Sequence, residues 1–199
     1  LFVEPGQTVI DCAPTFGMYA FAARLADAKL ISVPRTSTWD IDTPAMAEAI
    51  DGLTRIVFLA SPNNPTGNLL SESDARTLLD TGVVLCIDET YYEFSGNTLS
   101  HLLDDYENLV ILRSFSKWAG IAGLRVGYAV GSTTLISHLM DIKQPYNINI
   151  AGEAAVLAAL EHRDELLERT KSLVEQRKKL EAVINDLDGV SYYPSHGNF

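Results

Sequence analysis

The feature that most constrains this chain is an alternation of short apolar runs of β-forming residues with stretches whose apolar residues recur at helical spacing. Thr8 to Cys12, Leu30 to Pro34, Arg55 to Ala60, Val83 to Ile87, Leu109 to Arg113 and Arg125 to Val130 are each nearly continuous in apolar residues. A strand with one wet face alternates polar and apolar positions, so runs like these predict strands covered on both faces. Between them, Gly17 to Ala28 has the helical pattern. Ser71 with Asp74 forms a capping box that opens a helix Gly82 is placed to end, and Thr43-Pro44 starts a shorter one with proline at its first position. This order of elements predicts an α/β fold, a mainly parallel sheet wrapped by helices.

From Ala151 the pattern changes to one helical region reaching about Leu187, with Leu166, Leu173, Leu180 and Leu187 recurring among charged residues. A coiled coil needs roughly three to four sustained heptads. The chain has only about that minimum, so a long helix leading out of the sheet domain is expected. Gly189 ends it, and Val190 to Tyr193 reads as the first strand of a further, incomplete domain. At 199 residues the length suits one domain and part of a second. Both ends read as cuts through a longer chain.

Composition narrows the partners. The formal charge of −11 repels phosphate backbones and anionic lipid, so neither nucleic acid nor a membrane surface is expected. The longest wholly apolar run, Ala154 to Leu160, is far below the roughly 18 to 20 residues of a membrane-spanning helix. Cys12 and Cys86 each sit inside an apolar β-like run, where a free thiol behaves as a small buried hydrophobe, and the expected compartment is a reducing cytoplasm.

Ligands of open α/β sheets bind beyond the carboxyl ends of the strands, so the residues following each strand carry the functional information. The first strand is followed by Pro14-Thr15-Phe16, the third by Ser61 to Gly67 (SPNNPTG), the fourth by Asp88-Glu89-Thr90-Tyr91 and the fifth by Ser114-Phe115-Ser116-Lys117. Arg125 lies eight residues past the lysine. An aromatic face, an amide, a carboxylate, a phenol, hydroxyls, an amine and a guanidinium are together what a phosphorylated pyridine aldehyde requires. A lysine held among apolar neighbours is freed to form a Schiff base, and Lys117 is the candidate. Asp88 is the candidate to keep a ring nitrogen protonated. Arg125, with Ser114 and Ser116, fits a phosphate.

Taken singly, each of these residues has a plain structural role. Lys117 would be solvated in a serine-rich loop, Asp88 would cap a turn, Arg125 would pair with a carboxylate, Phe16 would be core and Asn63 to Gly67 would be a turn. Their joint order is what a chance arrangement does not produce. The histidines, His101, His138, His162 and His196, have no metal spacing, and Glu89 and Glu93 beside Asp88 define no ligand geometry, so no metal is expected.

SPNNPTG, IDETYYEF (Ile87 to Phe94) and ILRSFSKWAGIAGLRVGYAVG (Ile111 to Gly131) resemble the fold-type I aminotransferases that use pyridoxal phosphate. Within that superfamily APTFGMY (Ala13 to Tyr19), the SKxxGxAGLRxGY pattern at Ser116 to Tyr128 and QPYNINI (Gln144 to Ile150) look most like the histidinol-phosphate aminotransferases. The resemblance covers nearly the whole chain. It implies that Lys117 carries the cofactor as a Schiff base, Asp88 pairs with the pyridine nitrogen, Tyr91 and Asn64 hydrogen-bond the ring hydroxyl and Phe16 stacks on the ring. Ser114, Ser116 and Arg125 would hold the cofactor phosphate. It further implies transamination between an amino-acid or amino-phosphate substrate, here histidinol phosphate, and a 2-oxo acid, by a homodimer. Aromatic amino-acid aminotransferases and threonine-phosphate decarboxylase share much of the pattern. A non-catalytic cofactor-binding scaffold fused to a regulator is the alternative of another class. On this reading residues 1–150 belong to the cofactor-binding large domain, 151–188 to a connecting helical region and 189–199 to the start of a small domain.

Overall fold

A computed structural model describes residues 1–199. The apolar runs become a six-stranded sheet of β1 (Thr8–Asp11), β2 (Lys29–Ser32), β3 (Thr54–Ala60), β4 (Val84–Asp88), β5 (Leu109–Ser114) and β6 (Gly127–Gly131), in the order β2-β1-β3-β4-β5-β6. β1 to β5 pair in parallel and β6 closes the row antiparallel to β5. The helices are α1 (Met18–Leu25), α2 (Thr43–Ala49), α3 (Glu72–Leu79), α4 (Tyr92–Ser95), α5 (Thr133–Ile142), α6 (Ile150–Glu161) and α7 (Arg163–Asn185). From β1 the chain crosses outward to β2 and then returns to place β3 on the other side of β1. The strand order therefore reverses between β1 and β3, which opens a crevice at their carboxyl ends.

Successive side chains of a strand face opposite sides of the sheet. Ile10, Val57, Leu59, Leu85, Ile87, Leu109 and Ile111 enter the larger core, sealed by Met46 of α2 and by Ala75, Leu78 and Leu79 of α3. Val9, Ile56, Cys86 and Val110 face the other side and pack with Ala23 of α1. Both cysteines are free and buried. No helix is long and apolar enough to cross a membrane.

The expectation of cover on both faces holds for the central strands and fails at the edges. β2 is at best half-buried, and Gly127 to Val130 of β6 are exposed. An apolar run reports burial only when neighbours exist on both sides, and these two strands end the row. Gly127 lies opposite Ser114, where a Cβ would stand 2.7 Å from the Arg113 carbonyl oxygen, so only glycine allows this approach of β6 to β5.

The helix signals operate at the level of single hydrogen bonds. The Ser71 hydroxyl accepts from the Asp74 N–H at 3.1 Å, capping α3. Asp42 does the same for α2 through the Ala45 N–H, which makes Thr43 the first helical residue and Pro44 the second, a correction of one position. α5 was not anticipated, although its Ser132 cap and its Leu135, Ile136, Leu139 and Met140 spacing are a legible signal. The region after Ala151 is two helices, because His162 leaves the helical conformation. This bend brings both Ala159 of α6 and Leu166 of α7 onto Phe115, Ala119 and Val126.

Val190 to Tyr193 forms no strand. A strand needs a neighbour for its backbone N–H and C=O groups, and none lies beside this segment. Instead the chain folds back: Tyr193 packs edge-on against Trp39, the His196 N–H donates to the Gly67 carbonyl at 2.9 Å, and Phe199 meets Tyr91 edge-on at 5.1 Å. Gly67, at φ +75°, has no room for a side chain beneath Ser195.

Candidate active site

Four parallel strand ends and the turn before β6 converge on one cavity of about 250 Å³. Phe16, Asn64, Asp88, Tyr91, Ser114, Ser116, Lys117 and Arg125 all line it. The structure thus brings together every residue singled out from the sequence, from positions spread over more than half the chain. In a protein of net charge −11 this cavity holds two cations and one carboxylate.

Each wall is set by a local cause. Fully buried Asn63 ties the β1 and β3 loops together: its amide donates to the Pro14 carbonyl at 3.0 Å and to Thr66 at 2.8 Å, and its carbonyl accepts from Thr15 at 2.7 Å. This brace fixes the two loops that carry Phe16 and Asn64. Phe16 is 48% exposed, a ring presented to the cavity rather than a core residue. The Asn64 side-chain amide donates to the Tyr91 hydroxyl at 3.2 Å, making an amide–phenol pair.

Asp88 ends β4 at the centre of the sheet. Its Oδ1 accepts from the Thr90 N–H at 3.0 Å and its Oδ2 from the Tyr19 hydroxyl at 2.8 Å. Each carboxylate oxygen accepts more than one hydrogen bond, so both keep capacity for a ligand. Burial and the neighbouring carboxylate push the Tyr19 phenol well above its ordinary value, which keeps it a donor. Tyr19 and Thr90 also line the cavity, and the sequence reading assigned a role to neither. The signal for Tyr19 is its place three residues after Phe16, in the first turn of a helix that starts at the cavity's rim.

Lys117 corrects an expectation. It is exposed rather than enclosed among apolar side chains, with its ammonium 5.4 Å from the centre of the Tyr91 ring. The Ser116 N–H donates to the Ser114 hydroxyl at 3.0 Å, which curls the β5 loop and presents both hydroxyls on one side. Arg125 is a non-glycine residue at φ +58°, a left-handed conformation that costs on the order of 1 kcal/mol. Its guanidinium donates to the Ala122 carbonyl at 2.9 Å, and its remaining donors have no partner in the protein. Unused donors on a strained residue at a cavity wall are suited to an anion.

Glu89 points away from the cavity, so it forms no acidic pair with Asp88. It is fully buried and meets Arg113 at 2.6 Å, Thr98 at 2.8 Å and the Leu99 N–H at 2.8 Å, while the guanidinium lies 3.6 Å from the centre of the Tyr92 ring. This network clamps the turn carrying Asp88 and Tyr91 from behind.

A mainly parallel sheet whose strand ends gather an amine, a carboxylate, an amide–phenol pair and a guanidinium beside two hydroxyls defines the class of fold-type I aminotransferases. The chain belongs to the aminotransferase class I and II family, whose sequence model matches residues 1–199. It is 46% identical to a histidinol-phosphate aminotransferase of Roseiflexus castenholzii, over 99% of this chain and 53% of that protein. It is 41% identical to the chloroplastic histidinol-phosphate aminotransferase 1 of Arabidopsis thaliana, over 99% of this chain and 48% of that protein. The histidinol-phosphate aminotransferase of Sinorhizobium meliloti, solved in complex with pyridoxal-5'-phosphate, superposes with a TM-score of 0.87 at 26% identity, covering 98% of this chain and 54% of that one. The chain spans about half the length of the curated relatives it matches.

Glu93 sits behind the site, beside Arg113 and Glu89. Desolvation raises its carboxyl to about 7, with Arg113 acting against the rise and Glu89 adding to it, and its Oε2 is buried without a partner. A folded-state value above the ordinary one means stability that is complete in acid and lost as pH rises through about 7. The expected outcome is a melting temperature that falls between pH 5 and pH 8, with Glu93→Gln flattening that fall and raising the value at pH 8. Thermal melts across this range check it; identical slopes for the two proteins would refute it.

Proposed function

We propose that the full-length protein is a pyridoxal-phosphate-dependent aminotransferase that exchanges an amino group between histidinol phosphate and the glutamate/2-oxoglutarate pair, as in histidine biosynthesis. The observation that carries this reading is the convergence of Lys117, Asp88, the Asn64–Tyr91 pair and the Ser114, Ser116 and Arg125 donors on one cavity. The donor set fits the cofactor group for group: an amine for its aldehyde, a carboxylate for its ring nitrogen, an amide and phenol for its ring hydroxyl, an aromatic face for its ring and a hydroxyl–guanidinium cluster for its phosphate. The names of the curated relatives support the choice of substrate.

When bound, the cofactor supplies an aldehyde that condenses with amines and a protonated ring that withdraws electrons from the substrate α-carbon. Lys117 provides the amine that anchors it. When it is not holding the cofactor, the Lys117 Nζ would be the base placed to take the substrate α-proton. Asp88 would accept the ring N–H, Asn64 and Tyr91 would hold the ring hydroxyl, and Phe16 would cover one ring face. Ser114, Ser116 and Arg125 bind the phosphate, with Arg125 contributing charge-assisted hydrogen bonds. Residues 1–150 form the cofactor-binding part of the large domain, 151–188 the connecting helices and 189–199 the entry to the small domain. The two free buried thiols fit a reducing compartment such as the cytoplasm.

Assembly as a homodimer is part of the proposal. Tyr128 and Val130 on β6, Met140 and Ile142 on α5, and Tyr146 and Ile148 beyond it are exposed apolar side chains that a second copy would cover. Sedimentation of the full-length protein should give the mass of a dimer, and a monomer at micromolar concentration would refute this.

Two measurements test the chemistry. Borohydride should trap pyridoxal phosphate on the wild-type lysine and leave Lys117→Ala unlabelled; a trapped adduct in Lys117→Ala would reassign the amine. A site built for a phosphate group rejects an analogue lacking it by about 10⁴-fold. The ratio of kcat/KM for histidinol phosphate over phenylalanine should be of that order, and a preference for phenylalanine would overturn the substrate.

A further inference from the structure

We propose that Tyr19 is a positioning residue of this site, whose hydroxyl holds the Asp88 carboxylate as a fixed acceptor aimed at the ligand's ring nitrogen. The inference deepens the functional reading above and rests on it. Three observations converge on it. The Tyr19 hydroxyl donates to Asp88 Oδ2 at 2.8 Å across a sequence separation of 69 residues, so the contact is created by the fold and is no accident of the chain. The Tyr19 ring is buried and stacked on Phe58 of β3, with centroids 5.1 Å apart and planes within 5° of parallel. Phe16, which faces the cavity, meets the same ring edge-on at 5.7 Å, so one side chain braces both the wall intended for the cofactor's face and the carboxylate intended for its nitrogen.

The chemistry gives this hydrogen bond a direction. A phenol that stays protonated can only donate to the carboxylate oxygen, and donation to a carboxylate favours its charged form. With Thr90 N–H on Oδ1 and Tyr19 on Oδ2, Asp88 is oriented by two donors. A carboxylate held in line accepts the ring N–H, and a proton kept on the ring nitrogen makes the ring an electron sink. Without the hydroxyl, Asp88 keeps one of its two orienting donors, its hydrogen bond to the ring N–H is less well aligned, and the sink weakens. The loss falls on the chemical step more than on substrate binding.

The test uses the full-length enzyme loaded with pyridoxal phosphate labelled with nitrogen-15 at the ring. Tyr19→Phe removes one oxygen and retains the stack on Phe58. The expected result is a ring-nitrogen resonance moved from the protonated toward the unprotonated position, with kcat reduced about tenfold, the scale of one charge-assisted hydrogen bond, and KM for the amino donor changed less than twofold. In an Asp88→Asn background, Tyr19→Phe should lower kcat by less than a further twofold, because the group it acts through is already gone. An unshifted resonance, or a tenfold loss that persists in the Asp88→Asn background, would overturn the assignment of Tyr19 to Asp88. A wild-type enzyme that forms no borohydride-trappable complex with pyridoxal phosphate would instead refute the cofactor reading itself.

Discussion

Parallel pairing of β1, β3, β4 and β5 is the constraint on which the rest of the structure depends. Parallel neighbours must all run the same way, so their carboxyl ends emerge along one edge, and each return crossing has to travel over a face of the sheet. The loop after each strand is thereby delivered to the same rim, and reversal of strand order between β1 and β3 leaves a crevice there. Phe16, Asn64, Asp88 and Lys117 each follow a different strand and line one cavity for this reason. No local feature of any one loop could produce that convergence.

A sheet edge alone is too coarse to hold side chains in register with one another, and two buried polar devices supply the finer control. Asn63, fully buried, satisfies its amide and carbonyl on the loops that follow β1 and β3. Glu89 and Arg113 form an ion pair with side chains 1% and 11% exposed, completed by Thr98 and Leu99. Desolvating such a pair costs nearly what its attraction returns, so its contribution lies chiefly in what happens when a partner moves: a buried charge is left uncompensated. That penalty restricts the turn carrying Asp88 and Tyr91 to one conformation. The strained backbone of Arg125 fits the same logic, because its surroundings hold it where an unconstrained residue would relax.

Much of this architecture was legible beforehand. The central strands appeared as apolar runs because they are buried on both faces, and α2 and α3 announced themselves by their caps. The eight candidate site residues could be chosen because chemistry-bearing side chains follow strands in a fixed order. What failed did so where the answer depended on neighbours. β2 and β6 look like interior strands in sequence and are edges in space. Val190 to Tyr193 has strand-forming residues and no strand beside it. The bend at His162 follows from where Ala159 and Leu166 find a common apolar cluster, a fact about Phe115 and Val126 rather than about the helix itself.

The sequence by itself determined which segments become strands and helices, where the capped helices begin, and which functional groups stand at the strand ends. Periodicity, capping and turn chemistry act over a few residues, and those interactions are nearly the same in any context. Only the tertiary structure decided that Tyr19 reaches Asp88, that Glu89 turns from the cavity to Arg113, that Lys117 is exposed and that Arg125 takes a left-handed backbone. Each of these depends on the register between strands distant in the chain. Register is set by packing summed over the whole sheet, and no short stretch of sequence contains it.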